Sequence, residues 1–169
     1  MMQQKGFTIV ETLIALAIVS FGIVSVYGAF SAIVQVTSDI SLRFTASYLA
    51  QEGVEIIKNI RDGNFINSPG AGWSTGLTSC SAGCQADYKT GTASQGAANA
   101  LVAYSSNVFL KINSDGLYGY DTGTATTFTR KITITQVDSN TLKVVSDVFW
   151  NFSGKNLQTT NEDYLYNWY

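Results

Sequence analysis

The sequence predicts an α+β fold, in which one long N-terminal helix packs by its second half on an antiparallel β-sheet. Three observations predict it. Residues 12–36, a run of 25, carry no formal charge. From Leu42 onward, apolar or small residues recur at steps of four and three. From residue 107 the chain breaks into short alternating segments separated by Gly, Asp, Asn and Ser.

The helix begins in residues 6–36, G-F-T-I-V-E-T-L-I-A-L-A-I-V-S-F-G-I-V-S-V-Y-G-A-F-S-A-I-V-Q-V, whose one charge is Glu11. As a helix, residues 12–36 extend about 37 Å at about 1.5 Å per residue. That is enough to cross a hydrocarbon core of roughly 30 Å with some tilt. A secretory signal would show a shorter apolar region and then small residues marking a cut. Ala29, Ser31 and Ala32 are small, but the helical pattern continues straight through them. The small residue at a boundary is instead Gly6, directly after Lys5. A plain signal anchor accounts for Lys5 and the apolar run. It leaves Glu11 unexplained, because a carboxylate at membrane depth is costly and calls for a partner or a function.

The helix is expected to run on. Leu42, Ala46, Leu49, Gly53, Ile56 and Ile60 form a helical stripe, and Asp39, Arg43, Glu52, Glu55 and Lys58 fall off it as a polar face. From residue 7 to 59 the helix would measure about 80 Å. Its first half has no partner in the chain, while its second half has a sheet to pack on. Gly22 and Gly28 each weaken the helix by up to ~1 kcal/mol relative to alanine, and in a membrane glycines let helices approach closely. They are either ordinary packing residues or places where the helix loosens. Arg61-Asp62-Gly63-Asn64 predicts the helix end, with Gly63 in the C′ position.

Residues 67–100 read as a long loop dense in Gly, Ser, Ala, Thr and Asn. It holds Pro69, Trp73, Cys80 and Cys84, with one short strand near residues 86–89. A loop of this length is usually functional or mobile. A Cys80–Cys84 disulfide suits an oxidising compartment and closes a short ring worth about 2 kcal/mol. A reduced pair is the plain alternative. Half a zinc site would need further thiolate or imidazole ligands, and the chain has two cysteines and no histidine.

Strand signals follow at residues 107–112, 117–120, 128–136 and 142–152. Phe128, Ile132 and Ile134 alternate with Thr129, Lys131, Thr133 and Thr135; Leu142, Val144, Val148, Trp150 and Phe152 share one side of the next strand. Joined by Asp138-Ser139-Asn140, these two make a hairpin. One apolar face and one polar face imply a sheet covered on a single side, and the helix stripe is the available cover. After a turn at Gly154, the tail of residues 164–169 (Y-L-Y-N-W-Y) is expected to pack on the sheet edge.

Composition narrows the function classes. Hydrophobic residues make 46% of the chain and charged residues 13%, with a formal charge of −2. Removing residues 1–6 takes Lys5 with it and leaves nine basic against twelve acidic side chains, or −3. That is no electrostatic footprint for nucleic acid. Without histidine, the commonest general base and metal ligand is missing. No phosphate loop, nucleophile elbow or catalytic set is recognisable, so the chain does not read as an enzyme, and no cofactor or metal is assigned. Asp115, Asp121 and Asp138 each sit beside Gly, Ser or Asn, where aspartate favours turns; a calcium cluster is the lesser alternative. The sequon Asn151-Phe152-Ser153 is best taken as a chance match in a strand.

The string Lys5-Gly6-Phe7-Thr8-Ile9-Val10-Glu11 resembles the processing motif of type IV prepilins and pseudopilins. The resemblance implies that a prepilin peptidase cuts between Gly6 and Phe7 and that Phe7 becomes the N-methylated terminus. It implies that Glu11 faces the N-terminal amine of a neighbouring subunit, a pairing of opposite charges in a low-dielectric core that fixes axial register. Without the motif, Glu11 would be an interfacial residue one turn from the helix start. Pilins often carry a proline near the position of Gly28, and this chain departs from that.

The resemblance implies a pilin-like architecture divided into a leader (1–6), a transmembrane and filament-core helix (7–36), an amphipathic continuation (37–62) and a head of variable loop and sheet (63–169). The ending is closest to small minor pilins and pseudopilins. The implied role is a structural subunit of a type IV pilus or related filament. Its partners would be the prepilin peptidase, other pilin subunits bundled through their helices, an inner-membrane assembly platform, and membrane lipid before assembly. It would sit in the inner membrane as a single-pass protein with an extracytoplasmic head, then in a filament. A type II secretion pseudopilin and a membrane-anchored extracytoplasmic binding domain that does not assemble are the alternatives.

Overall fold

The computed structural model describes residues 6–67, 72–91 and 100–168. Lys5, Pro69 and Tyr169, invoked above, lie outside these residues, as does most of the expected leader. The chain falls into two compact units, Met1–Leu42 and Arg43–Tyr169. The architecture is the expected α+β, pilin-like layout: a helix α1 (Ile9–Asn67) followed by antiparallel sheets.

Within the second unit the helix buries Ala46, Leu49, Ala50, Val54, Ile56, Ile57 and Ile60. This is the expected stripe, broadened by its neighbours at i+1 into a face wide enough to cover a sheet. The main sheet has the order β2–β1–β6–β7–β8, from β1 (Cys84–Gln85), β2 (Val102–Ala103), β6 (Thr129–Asp138), β7 (Thr141–Phe152) and β8 (Lys155–Tyr166). A smaller sheet joins β3 (Lys111–Ile112) to β4 (Tyr118–Gly119) and β5 (Thr124–Ala125). Val54, Ile57 and Ile60 meet Ile132, Ile134, Leu142, Val144 and Leu165 in one core cluster, with Leu77, Cys80, Cys84 and Ala86 closing one end.

The long hairpin is where it was expected. β6 and β7 pair from Thr129↔Phe149 to Asp138↔Thr141, and β7 alternates between buried and half-buried residues over most of its length. Several other expectations need correction. The helix does not stop at Gly63 but continues to Asn67. Tertiary contacts carry it over the glycine: the Asn64 side chain donates to the carbonyls of Trp73 (3.0 Å) and Thr75 (2.9 Å), and Phe65 stacks on Trp73. The short strand expected near 86–89 lies at Cys84–Gln85, because Asp87 opens a turn in which its carboxylate accepts from the Lys89 N–H and the Thr90 hydroxyl. The strand expected over 107–112 is reduced to Lys111–Ile112.

The largest correction is β8. The tail does not merely pad the sheet edge: residues 155–166 pair with β7 over twelve consecutive positions, Phe152↔Lys155 to Thr141↔Tyr166. The turn between them has Ser153 at φ 50° and Gly154 at φ 77°. Two consecutive positive φ values match the right-handed strand twist and tighten the hairpin to a two-residue loop.

Arg130 is the least expected core residue. It sits on the same face as Phe128, Ile132 and Ile134 and is fully buried. Its Nη1 donates to the Leu49 carbonyl (2.9 Å) and to Glu52 Oε2 (2.8 Å), and its Nη2 donates to the Ala86 carbonyl. Helix, loop and sheet are thereby fastened through one guanidinium. A buried cation is tolerated only when paired and hydrogen-bonded in this way. Gly53 makes room for it: a Cβ there would collide with Ser146 Oγ and stand 3.1 Å from Arg130 Cδ. Nearby, burial pushes the Tyr120 phenol up to about 12, with Arg130 pulling it back.

Two outcomes follow for the head. Gly53→Val should lower its stability by about 1–3 kcal/mol through overpacking, seen as a lower urea midpoint for the detergent-solubilised chain; Ser146→Gly in the same chain should restore part of it. The Tyr120 phenol keeps its proton to about pH 12 when folded, whereas an unfolded phenol releases it near pH 10. Between those values the unfolded state binds fewer protons, so stability falls as pH rises. The drop in unfolding midpoint between pH 9 and pH 11.5 should be smaller for Tyr120→Phe.

Candidate functional site

The residues singled out at the N-terminus lie where the helix begins. Gly6, Phe7 and Thr8 are not helical; Ile9 is the first residue of α1. Thr8 is the cap. Its Oγ1 accepts the Glu11 N–H at 3.3 Å, and its carbonyl accepts the Thr12 N–H at 3.2 Å. Thr8 and Glu11 stand at the spacing of a capping box. A carboxylate in the first turn also gains about 0.3–1 kcal/mol from the positive end of the helix dipole. Glu11 therefore has a local reason to be acidic, besides any partner it meets.

Phe7 is 81% exposed, and Glu11 is exposed. Among the described residues, nothing lies within 4 Å of where a Gly6 Cβ would stand. The packing of the chain itself does not ask for glycine there. The same holds for Gly22 and Gly28; among the described residues, no close contact repays their cost in helix propensity.

The first unit presents an almost unbroken apolar surface. Every residue from 6 to 38 is exposed, including Ile9, Leu13, Leu16, Phe21, Tyr27 and Phe30. The hydroxyls in this run do not break the pattern. Ser20, Ser25, Ser31 and Ser38 donate to the carbonyls of Leu16 (2.8 Å), Phe21 (2.8 Å), Tyr27 (3.1 Å) and Val34 (3.0 Å), and Thr12 donates to that of Ile9 (2.8 Å). Folding each hydroxyl onto the backbone one turn back satisfies it without water. The helix is long and apolar enough to cross a membrane, and its most apolar window is not buried in the chain.

The second unit holds the remaining candidates. Cys80 and Cys84 are joined by a disulfide, Cα atoms 5.3 Å apart, both in the core. Asp115, Asp121 and Asp138 are engaged separately. The Asp115 N–H bonds to Asn113 Oδ1, Asp121 pairs with Lys89 at 2.9 Å, and Asp138 Oδ1 accepts from the Asn140 N–H. Among the described residues, no group of three or more His, Cys, Asp or Glu is placed to hold a metal ion. Asn151 and Phe152 are the last two residues of β7, and Asn151 Oδ1 accepts the Gly154 N–H at 3.2 Å, so the sequon starts in the strand, as expected, and runs into the hairpin turn at Ser153.

The described residues of the second unit include the walls of two clefts. One, of about 330 Å³, includes Asp87 and Asp121 in its wall. Asp121 is paired with Lys89, and the Asp87 carboxylate is taken up by the Lys89 N–H, the Thr90 hydroxyl and the Tyr120 N–H. The other, of about 320 Å³, is lined by Thr45, Tyr48, Leu49, Glu52 and residues 116–118, with Glu52 held by Arg130.

Reading the sequence missed three residues that organise these sites. Thr8 was signalled by its spacing to Glu11, and Asp87 by the turn pattern D-x-x-T. Arg130 carried one signal, its place in the alternation between Phe128 and Ile132.

Residues 1–27 match the family described as the prokaryotic N-terminal methylation motif. No curated protein and no solved structure matches the chain. The match is the type IV prepilin and pseudopilin signature. It spans residue 6, residue 7, the capped helix start and most of the exposed apolar run.

Proposed function

We propose that this chain is a structural subunit, a minor pilin of a type IV pilus or related filament. The observation that carries the reading is the coincidence of the methylation motif with an apolar helix that finds no cover among the described residues. Such a surface requires lipid or other helices, and a filament subunit uses first one and then the other. The proposed division is a leader at 1–6, a core helix at 7–36, its amphipathic continuation at 37–62 and a head at 63–169.

Prepilin peptidase cleaves the Gly6–Phe7 bond, and the new Phe7 amine is N-methylated. Until assembly, residues 7–36 hold the chain in the inner membrane as a single span, with the head on the extracytoplasmic side. The inner-membrane assembly platform then extracts it, and helices of neighbouring subunits replace lipid around residues 7–36. In that core the Glu11 carboxylate pairs with the Phe7 ammonium of the adjacent subunit. Leaving one of these charges without its partner in a dry environment is strongly unfavourable, which sets the axial position of each subunit. The head supplies what the filament displays. Its disulfide suits the oxidising side of the membrane.

The N-terminal residue and mass of the protein isolated from membranes test the reading. A chain starting at N-methylated Phe7 is expected; a chain retaining residues 1–6 in cells that assemble filaments overturns it. Gly6→Leu should abolish the cut while leaving membrane insertion intact. Glu11→Ala should be cut and methylated normally but enter filaments at least tenfold less, as counted by immunogold labelling; normal incorporation would remove the pairing.

A further inference from the structure

We infer that Thr8 is a positioning residue for the cleavage: its hydroxyl cap ends the helix two residues past the scissile bond and keeps the Gly6–Phe7 peptide outside the helical ladder. The inference rests on the processing reading above.

Hydrolysis adds water oxygen to the Gly6 carbonyl carbon, breaks the bond to the Phe7 nitrogen and delivers a proton to that leaving amine. The carbonyl must be open to attack and its peptide free to turn pyramidal. Within an α-helix, the Gly6 carbonyl would accept the Val10 N–H, and the peptide would be enclosed by the first turn. In the structure the ladder starts later: the Thr8 carbonyl accepts the Thr12 N–H, and residues 6–8 are not helical.

Something must hold that boundary, because the environment works against it. Beside an apolar phase, the first N–H groups of a helix lack water, and extending the helix backwards would satisfy them. The alternative acceptor is Thr8 Oγ1, which takes the Glu11 N–H at 3.3 Å. A side-chain cap is worth about 1 kcal/mol, close to a fivefold shift in where the helix begins. Gly6 points the same way: no part of the described chain packs where its Cβ would be, so close approach by the peptidase, rather than the fold, accounts for glycine.

The full-length chain, co-expressed with a prepilin peptidase, is followed in membranes by pulse-chase, with the N-terminus read by mass spectrometry. Thr8→Val keeps the shape and β-branching but removes the acceptor; Thr8→Ser and Thr8→Asn keep a capping oxygen. Cleavage of Thr8→Val should slow about fivefold, while Thr8→Ser and Thr8→Asn stay within twofold of the parent. Equal rates for Thr8→Val and the parent overturn the inference. So does equal slowing of all three variants, which would mean that the peptidase reads threonine itself. Failure of the parent chain to be cut would instead remove the processing reading, and is seen in the same experiment.

Discussion

An apolar helical surface that none of the described residues covers is the constraint on which the rest of this structure depends. Residues 6–38 are exposed throughout. The hydrophobic effect then acts between molecules rather than within one. The second unit settles its own account separately. Its helix segment buries one face against β6, β7 and β8, and leaves Phe44 and Tyr48 outside.

Two charged residues show how differently the units treat polarity. Arg130 is enclosed and answered within the chain by two carbonyls and Glu52. It behaves as a structural rivet, and Gly53 is the clearance drilled for it. Glu11 is exposed at the start of an apolar rod, with its backbone N–H taken up by Thr8. A charge satisfied inside the fold stabilises the fold; in the proposed filament, a charge at the edge of an apolar surface would select what comes next to it.

Much of this was legible in the sequence, for reasons that differ by element. The helix stripe and the β6–β7 hairpin were readable because one face of each is apolar and the period shows. The strand β8 was not, because its inward positions include Thr159, Asn161 and Asp163, and Asp163 is held there by Lys58 at 2.8 Å. A strand recognised by alternation disappears when polar residues take the half-buried positions. Gly63 was misread because local propensity favours a stop, while Asn64 and Phe65 supply tertiary contacts that local rules cannot see. The N-terminal motif was the most legible part, since it is carried by contiguous residues. Its geometry was less so: the cap at Thr8 was written in the same seven letters and passed unnoticed.

The inward-turned hydroxyls have one more consequence. With Ser20, Ser25, Ser31 and Ser38 bonded to their own backbone, the flank of the rod offers neighbours a greased bearing rather than a keyed shaft. Dispersion forces grip such a surface firmly but change little when it slides or turns. In the proposed filament, indexing of one rod against another would then fall to its two ends, where a few polar atoms act as the detent.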